Sequence, residues 1–184
     1  METASMKLTA IGALLTIAIS FIPGCRDRPQ QRRAGVASDQ QFAATTESAE
    51  TVLALPQFDV CSMESVRSVS DNSLNPGDVP NSWKVEKGQA YDISGFVVDK
   101  AQGSVPQRIR LLLVGKNVHA VTTRTGVERP DVAQYFSWGG FLRAGYSSEV
   151  AFDDVPAGDY QILVAETQDS RTFVCRTFQT ISIR

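Results

Sequence analysis

The sequence predicts an all-β domain, an immunoglobulin-like antiparallel β-sandwich of about seven or eight strands, over residues 56–184. Short runs rich in β-branched and aromatic residues recur along this stretch. Clusters of Gly, Pro, Asn and Asp separate them at close spacing. No segment keeps a 3.6-residue apolar period beyond about two turns, so helices have little claim on the core.

The strands follow in order. Residues 59–66 form the first, and a turn-rich stretch over 70–81 contains Asn75-Pro76-Gly77-Asp78. Residues 83–85 are short and extended. Residues 91–98 are β-branched and aromatic and end in a polar turn over 99–104. Residues 109–114 and 118–123 flank Gly115-Lys116-Asn117, which reads as a hairpin loop. Residues 147–152 alternate, Val155-Pro156-Ala157-Gly158-Asp159 makes a turn, and Tyr160, Ile162 and Val164 share one strand face. Residues 172–175 and 178–183 close the chain. The exception is residues 124–145, a long connection with room for one helical turn around 131–135. Connections of that length inside compact domains are often functional.

The segment before the domain reads differently. Lys7 precedes an apolar run over residues 8–22, and small residues then lead into Cys25, the layout of a secretory signal. Glu2 puts a negative charge ahead of that run, so Met6 is a better start than Met1. Ile22-Pro23-Gly24-Cys25 resembles the lipobox of bacterial lipoproteins, with Pro23 an unusual residue at its place. The resemblance implies cleavage before Cys25, lipidation of its thiol and a membrane-tethered mature protein; the alternative is an ordinary signal peptide ending near a cysteine. On this reading residues 1–24 are the signal and residues 25–55 the lipidated cysteine and a flexible tether. Polar residues and arginines fill the early tether (Arg26, Arg28, Arg32, Arg33), and order begins at residues 52–55 at the earliest. Arg26, in place of the Asp that lipoprotein families use for inner-membrane retention, favours the outer membrane.

Three cysteines divide unevenly once Cys25 carries lipid. Cys61 and Cys175 remain, near the two ends of the folded part and in a compartment where disulfides persist, so they are expected to pair. Two separate buried thiols are the alternative.

A wider resemblance rests on Ile93-Ser94-Gly95-Phe96-Val97-Val98-Asp99, Arg129-Pro130-Asp131-Val132-Ala133, Gly140-Phe141 and Val155-Pro156-Ala157-Gly158-Asp159-Tyr160. That order is similar to β-sandwich domains appended to bacterial envelope membrane proteins, some linked to glycan or exopolysaccharide handling. Phe96 stands where that pattern has Trp. A transthyretin-like or carboxypeptidase-regulatory sandwich fits residues 152–164 equally well. Both resemblances imply a two-sheet β fold; the first implies an extracytoplasmic module and not an activity.

The long connection holds the candidate ligand-binding residues Arg124, Arg129, Asp131, Tyr135, Trp138 and Arg143. Aromatic faces stack on the apolar faces of sugars, and arginines hydrogen-bond hydroxyls or acidic groups beside them. Tyr135 and Trp138 are the rings best placed for exposure; the alternative is that the whole cluster, with Phe136, Phe141 and Tyr146, simply closes one end of the sandwich. Asp131 follows Pro130 at a helix start and has Arg129 and Arg124 in reach, so an ordering role competes with ligand contact.

Catalysis finds little support. His119 is the single histidine and sits in a strand pattern, so no Ser-His-Asp set assembles around it. Asp153 and Asp154 are adjacent and point apart, and with Asp159 they offer no more than a weak calcium site. No catalytic residue, metal site or cofactor is expected. A net charge of −2 argues against nucleic acid. The expected partners are a membrane through the lipid and an envelope polysaccharide, or alternatively an envelope protein for which the domain serves as an interaction scaffold.

Overall fold

A computed structural model describes residues 40–58 and 60–184. The signal segment, the lipidation position Cys25 and the arginines that follow lie outside the described residues.

The domain is all-β, as the turn spacing predicts. Its strands are β1 (Ala43–Ala44), β2 (Val60–Ser68), β3 (Ser82–Val85), β4 (Ala90–Val98), β5 (Arg108–Val114), β6 (Val118–Val127), β7 (Gly145–Ala151), β8 (Gly158–Gln168) and β9 (Arg171–Ile183). They join in the order β2-β4-β7-β6-β5-β8-β9-β3, with β1 added to β6. All pairings between these strands are antiparallel except β3 with β9, which run parallel from Ser82↔Thr180 to Val85↔Ile183. That pair departs from the purely antiparallel expectation, because a wide excursion over residues 69–81 brings the chain back beside its C-terminal strand.

Strand β6 belongs to both halves of the sheet. Its first part pairs with β5 from Val118 to Arg124, and its end pairs with β7 at Thr125 and Val127. The irregularity between them is Gly126, whose φ of 131° a side chain disfavours. The sheet then nearly closes on itself. Leu74 bridges Arg67 of β2, and Pro76 bridges Trp83 of β3. Asn75 N–H donates to Val66 O at 3.0 Å and Asn75 O accepts from Lys84 N–H at 3.0 Å, so this short segment links the two edge strands. Further along the same seam the Cys61–Cys175 disulfide ties β2 to β9. The expected pairing is therefore present.

The main core fills the inside of this curved sheet with Met63, Val66, Ile93, Val97, Ile109, Leu111, Leu113, Val150, Phe152, Ile162, Val164, Ile181 and Ile183. Tyr91 and Tyr146 lie in it with satisfied hydroxyls, Tyr91 Oη accepting from Glu86 N–H and Tyr146 Oη donating to Ser62 O at 2.9 Å. Burial and the Glu64 charge push the Tyr146 phenol above its ordinary range. The Tyr146 bond passes beneath Gly95 of β4, where a Cβ would stand 2.6 Å from the Tyr146 hydroxyl and collide with Ser62 O. This gives the Ser-Gly-Phe motif its physical reason. Gly95→Ala is expected to cost about 3 kcal/mol, read as a lowered urea midpoint at unchanged slope.

Residues 40–55 correct the tether boundary. Phe42 is buried and stacks on Phe152 with ring centroids 5.1 Å apart, and its N–H donates to Ala151 O. Glu47 and Arg110 form an ion pair at 2.8 Å. Ser48 caps the short helix α1 (Ala49–Leu53), accepting from Thr51 N–H. Val52 of α1 packs on Leu112, Val114, Val118, Leu163, Ala165 and Val174, the outward side chains of β5, β6, β8 and β9. The apolar run Leu111-Leu112-Leu113-Val114 is thus buried on both faces, one by the core and one by α1.

Candidate functional site

The long connection folds over the end of the domain as helix α2 (Pro130–Tyr135) and a 3-10 turn (Gly139–Phe141). Pro130 supplies the fixed φ that suits a first helical position. Val132, Phe141 and Ala144 make a small core of their own with Val98, packed against Val60, Phe96, Val105 and Phe136. Phe136 and Phe141 meet edge to face at 5.7 Å.

Arg129 fastens this element to the sheet. Its guanidinium donates to both oxygens of Asp131, at 2.9 and 2.6 Å, and to both oxygens of Glu64 on β2, at 2.8 and 3.1 Å. The same guanidinium lies over the Phe96 ring, 5.2 Å from its centre. Hydrogen bonds from Arg129 hold the Asp131 carboxyl down to about pKa 2, and they hold the Arg129 cation charged. Four of the five Arg129 donors and both Asp131 oxygens are committed to ordering the connection.

The remaining candidates divide. Arg124 is exposed on β6 opposite Arg108, away from the helical segment in sequence and held in the β5 ladder. Arg143 is exposed just past the 3-10 turn. Tyr135 is 82% exposed and Trp138 52% exposed. The Trp138 ring is not loose: its indole N–H donates to Gly103 O at 2.9 Å. A Cβ at Gly140 would stand 2.5 Å from that nitrogen, and one at Gly103 would touch the indole ring. Two glycines thus make the slot that fixes the indole edge while leaving half of the side chain in solvent. Tyr135, Trp138 and Arg143 are the exposed members of the predicted set that lie on or beside the helical segment.

The structure adds a second constellation on the other side of the turn at 99–104. Asp99 and Glu166 are 5% and 4% exposed, although both are carboxylates. Gln168 Nε2 donates to Asp99 Oδ2 at 2.9 Å and to Glu166 Oε1 at 2.7 Å. Desolvation, reinforced by the Asp99 charge, raises the Glu166 carboxyl to about pKa 7. The register of β8 carried the signal for this site. Tyr160, Ile162 and Val164 face the core at alternate positions, and the next inward position is Glu166.

His119 is buried against the Tyr160 ring, and burial lowers its basicity. Asp153 Oδ1 accepts from Gly88 N–H at 2.7 Å, and Asp159 is held by Ser182 and Arg184. No group of three or more His, Cys, Asp or Glu side chains gathers to hold a metal among the described residues. No protein-family model matches the sequence, and a search of the curated proteins returned no match.

Proposed function

We propose that this chain is a bacterial envelope lipoprotein, anchored through Cys25, whose β domain binds envelope polysaccharide as a non-enzymatic accessory module. The lipobox-like Ile22-Pro23-Gly24-Cys25 supports the anchor, with outer-membrane delivery favoured by Arg26. The shared strand β6 and the β2–β9 disulfide support an immunoglobulin-like plan for the domain. The observation that carries the binding role is Trp138, an indole held by a backbone hydrogen bond and two glycines yet half exposed, with Tyr135 exposed on the helix beside it. A pre-fixed ring loses little conformational freedom when a sugar stacks on it. Arg143 supplies a free donor at the same turn.

The full chain is expected to bind polysaccharide fractions of the source envelope saturably and to compete with free saccharide. Trp138→Ala is expected to reduce that affinity about tenfold, consistent with the loss of one stacking ring. Binding that ignores Trp138 and free sugar would sink the reading.

The second reading, an interaction scaffold for an envelope protein, draws on Phe178. This ring is 77% exposed at a φ of 57°, within an irregularity of β9 between the partners of Ile162 and Leu163. A bulky residue in that backbone region marks strain of the kind kept at contact sites.

A further inference from the structure

Two buried carboxylates stand together here without a cation. Asp99 and Glu166 take part in no ion pair among the described residues. Their hydrogen bonds come from neutral groups: Gln102 N–H to Asp99 Oδ1 at 3.0 Å, and both amide hydrogens of Gln168. Gln102 Nε2 donates to Gln168 Oε1 at 2.6 Å, which fixes the Gln168 amide with its donors toward the acids. No donor among the described residues reaches Glu166 Oε2, on a side chain more than nine-tenths buried. Buried carboxylates ordinarily have a cation or a full set of donors.

Glu166 lines a cavity of about 270 Å³, shared with Asp99, Gln57, Phe58, Gln102, Gln168 and Phe173. Its composition selects the occupant. A hard metal ion takes six or more oxygens with several carboxylates among them, and here no third acid joins the two beside the amides of Gln57, Gln102 and Gln168 among the described residues. An ammonium or guanidinium group with a short alkyl stem uses acids and rings together, its charge on the acids and its carbons against Phe58 and Phe173.

We infer that the cavity lined by Phe58, Asp99, Glu166 and Phe173 is a binding site for a small organic cation, an alkylammonium or guanidinium group. It stands apart from the saccharide reading, and either can fail without the other.

The test titrates the full chain with n-butylammonium chloride, with n-butanol as the neutral isostere and calcium chloride as the metal probe. Calorimetry and the Gln168 side-chain amide resonances report the binding. The expected result is one saturable butylammonium site in the millimolar range or tighter, with butanol at least about tenfold weaker. Glu166→Gln and Asp99→Asn, each checked for folding by its unfolding curve, are expected to lose at least about tenfold in butylammonium affinity. Three results would overturn the assignment: butanol binding as well as butylammonium, calcium saturating the site while butylammonium does not, or folded variants binding like the parent. Absence of butylammonium saturation in the parent protein would also overturn it, and that measurement does not depend on the variants folding.

Discussion

Replacing Cys61 and Cys175 together by alanine is expected to lower the unfolding free energy by about 4 kcal/mol. The disulfide joins residues 114 apart in sequence, so cutting it releases a loop containing most of the described strands. Few backbone contacts around it share the constraint. At its end of the seam β2 and β9 are not paired by a ladder; β2 pairs only with β4, and β9 with β8 and β3. The link there rests on the disulfide, on core side chains such as Met63 and Ile181, and on one bridge, Gln57 with Val174, from the segment just ahead of β2. Chemical denaturation of the oxidised parent and the double variant measures the difference. A loss below about 1 kcal/mol would mean that the unfolded chain is already compact across this loop.

The second large effect concerns Glu166. Its carboxyl titrates at about 7 in the folded protein against 4.5 for the free side chain. The folded state therefore holds the proton more tightly than the unfolded chain does. The stabilisation linked to that proton is complete below about pH 4.5 and is lost as pH rises through 7. Water entering the cavity screens part of the penalty, so the loss expected between pH 5 and pH 8 is about 2 kcal/mol. Glu166→Gln keeps an oxygen for the Gln168 donor and never ionises. Its stability relative to the parent is expected to rise by about 2 kcal/mol from pH 5 to pH 8 in urea unfolding. A difference that stays flat across that range would mean that Glu166 is ionised throughout.

Much of the fold was legible because the strands obey local rules. Residues 91–98, 109–114 and 118–123 carry β-branched residues between turn signals, and each falls within a strand of the structure. Residues 172–175 and 178–183 read as two strands; they are one strand with an irregularity over residues 177–178. The parallel β3–β9 pair was not legible, since its partners lie about a hundred residues apart and neither sequence encodes the direction of the other. Phe42 shows how a tether boundary is misplaced. One aromatic residue in a polar stretch has no local period, yet it fills a place beside Phe152 that only the folded sheet creates. Residues 43–44 and 49–53 then follow it onto the surface as β1 and α1.

The candidate site was legible in part. The length of the connection and its density of rings pointed to Tyr135 and Trp138, while the fate of Arg129 required the position of Glu64, far away on β2. Asp99 looked like an ordinary turn residue, and only the turn over 99–104 brings it beside Gln168 of β8.

The C-terminal strand carries a consequence for how the chain is made. A ribosome delivers β3 long before it delivers β9, the strand that pairs with both β3 and β8 and supplies Cys175 for the bridge to β2. Until residues 171–183 emerge, β8 and β3 present open edges, and no arrangement of the earlier strands can close the sheet. Closure of the sheet therefore waits on residues 171–183. A truncation of even a dozen residues at this end leaves a product with exposed edges that belongs to the proteostasis machinery rather than to the native population.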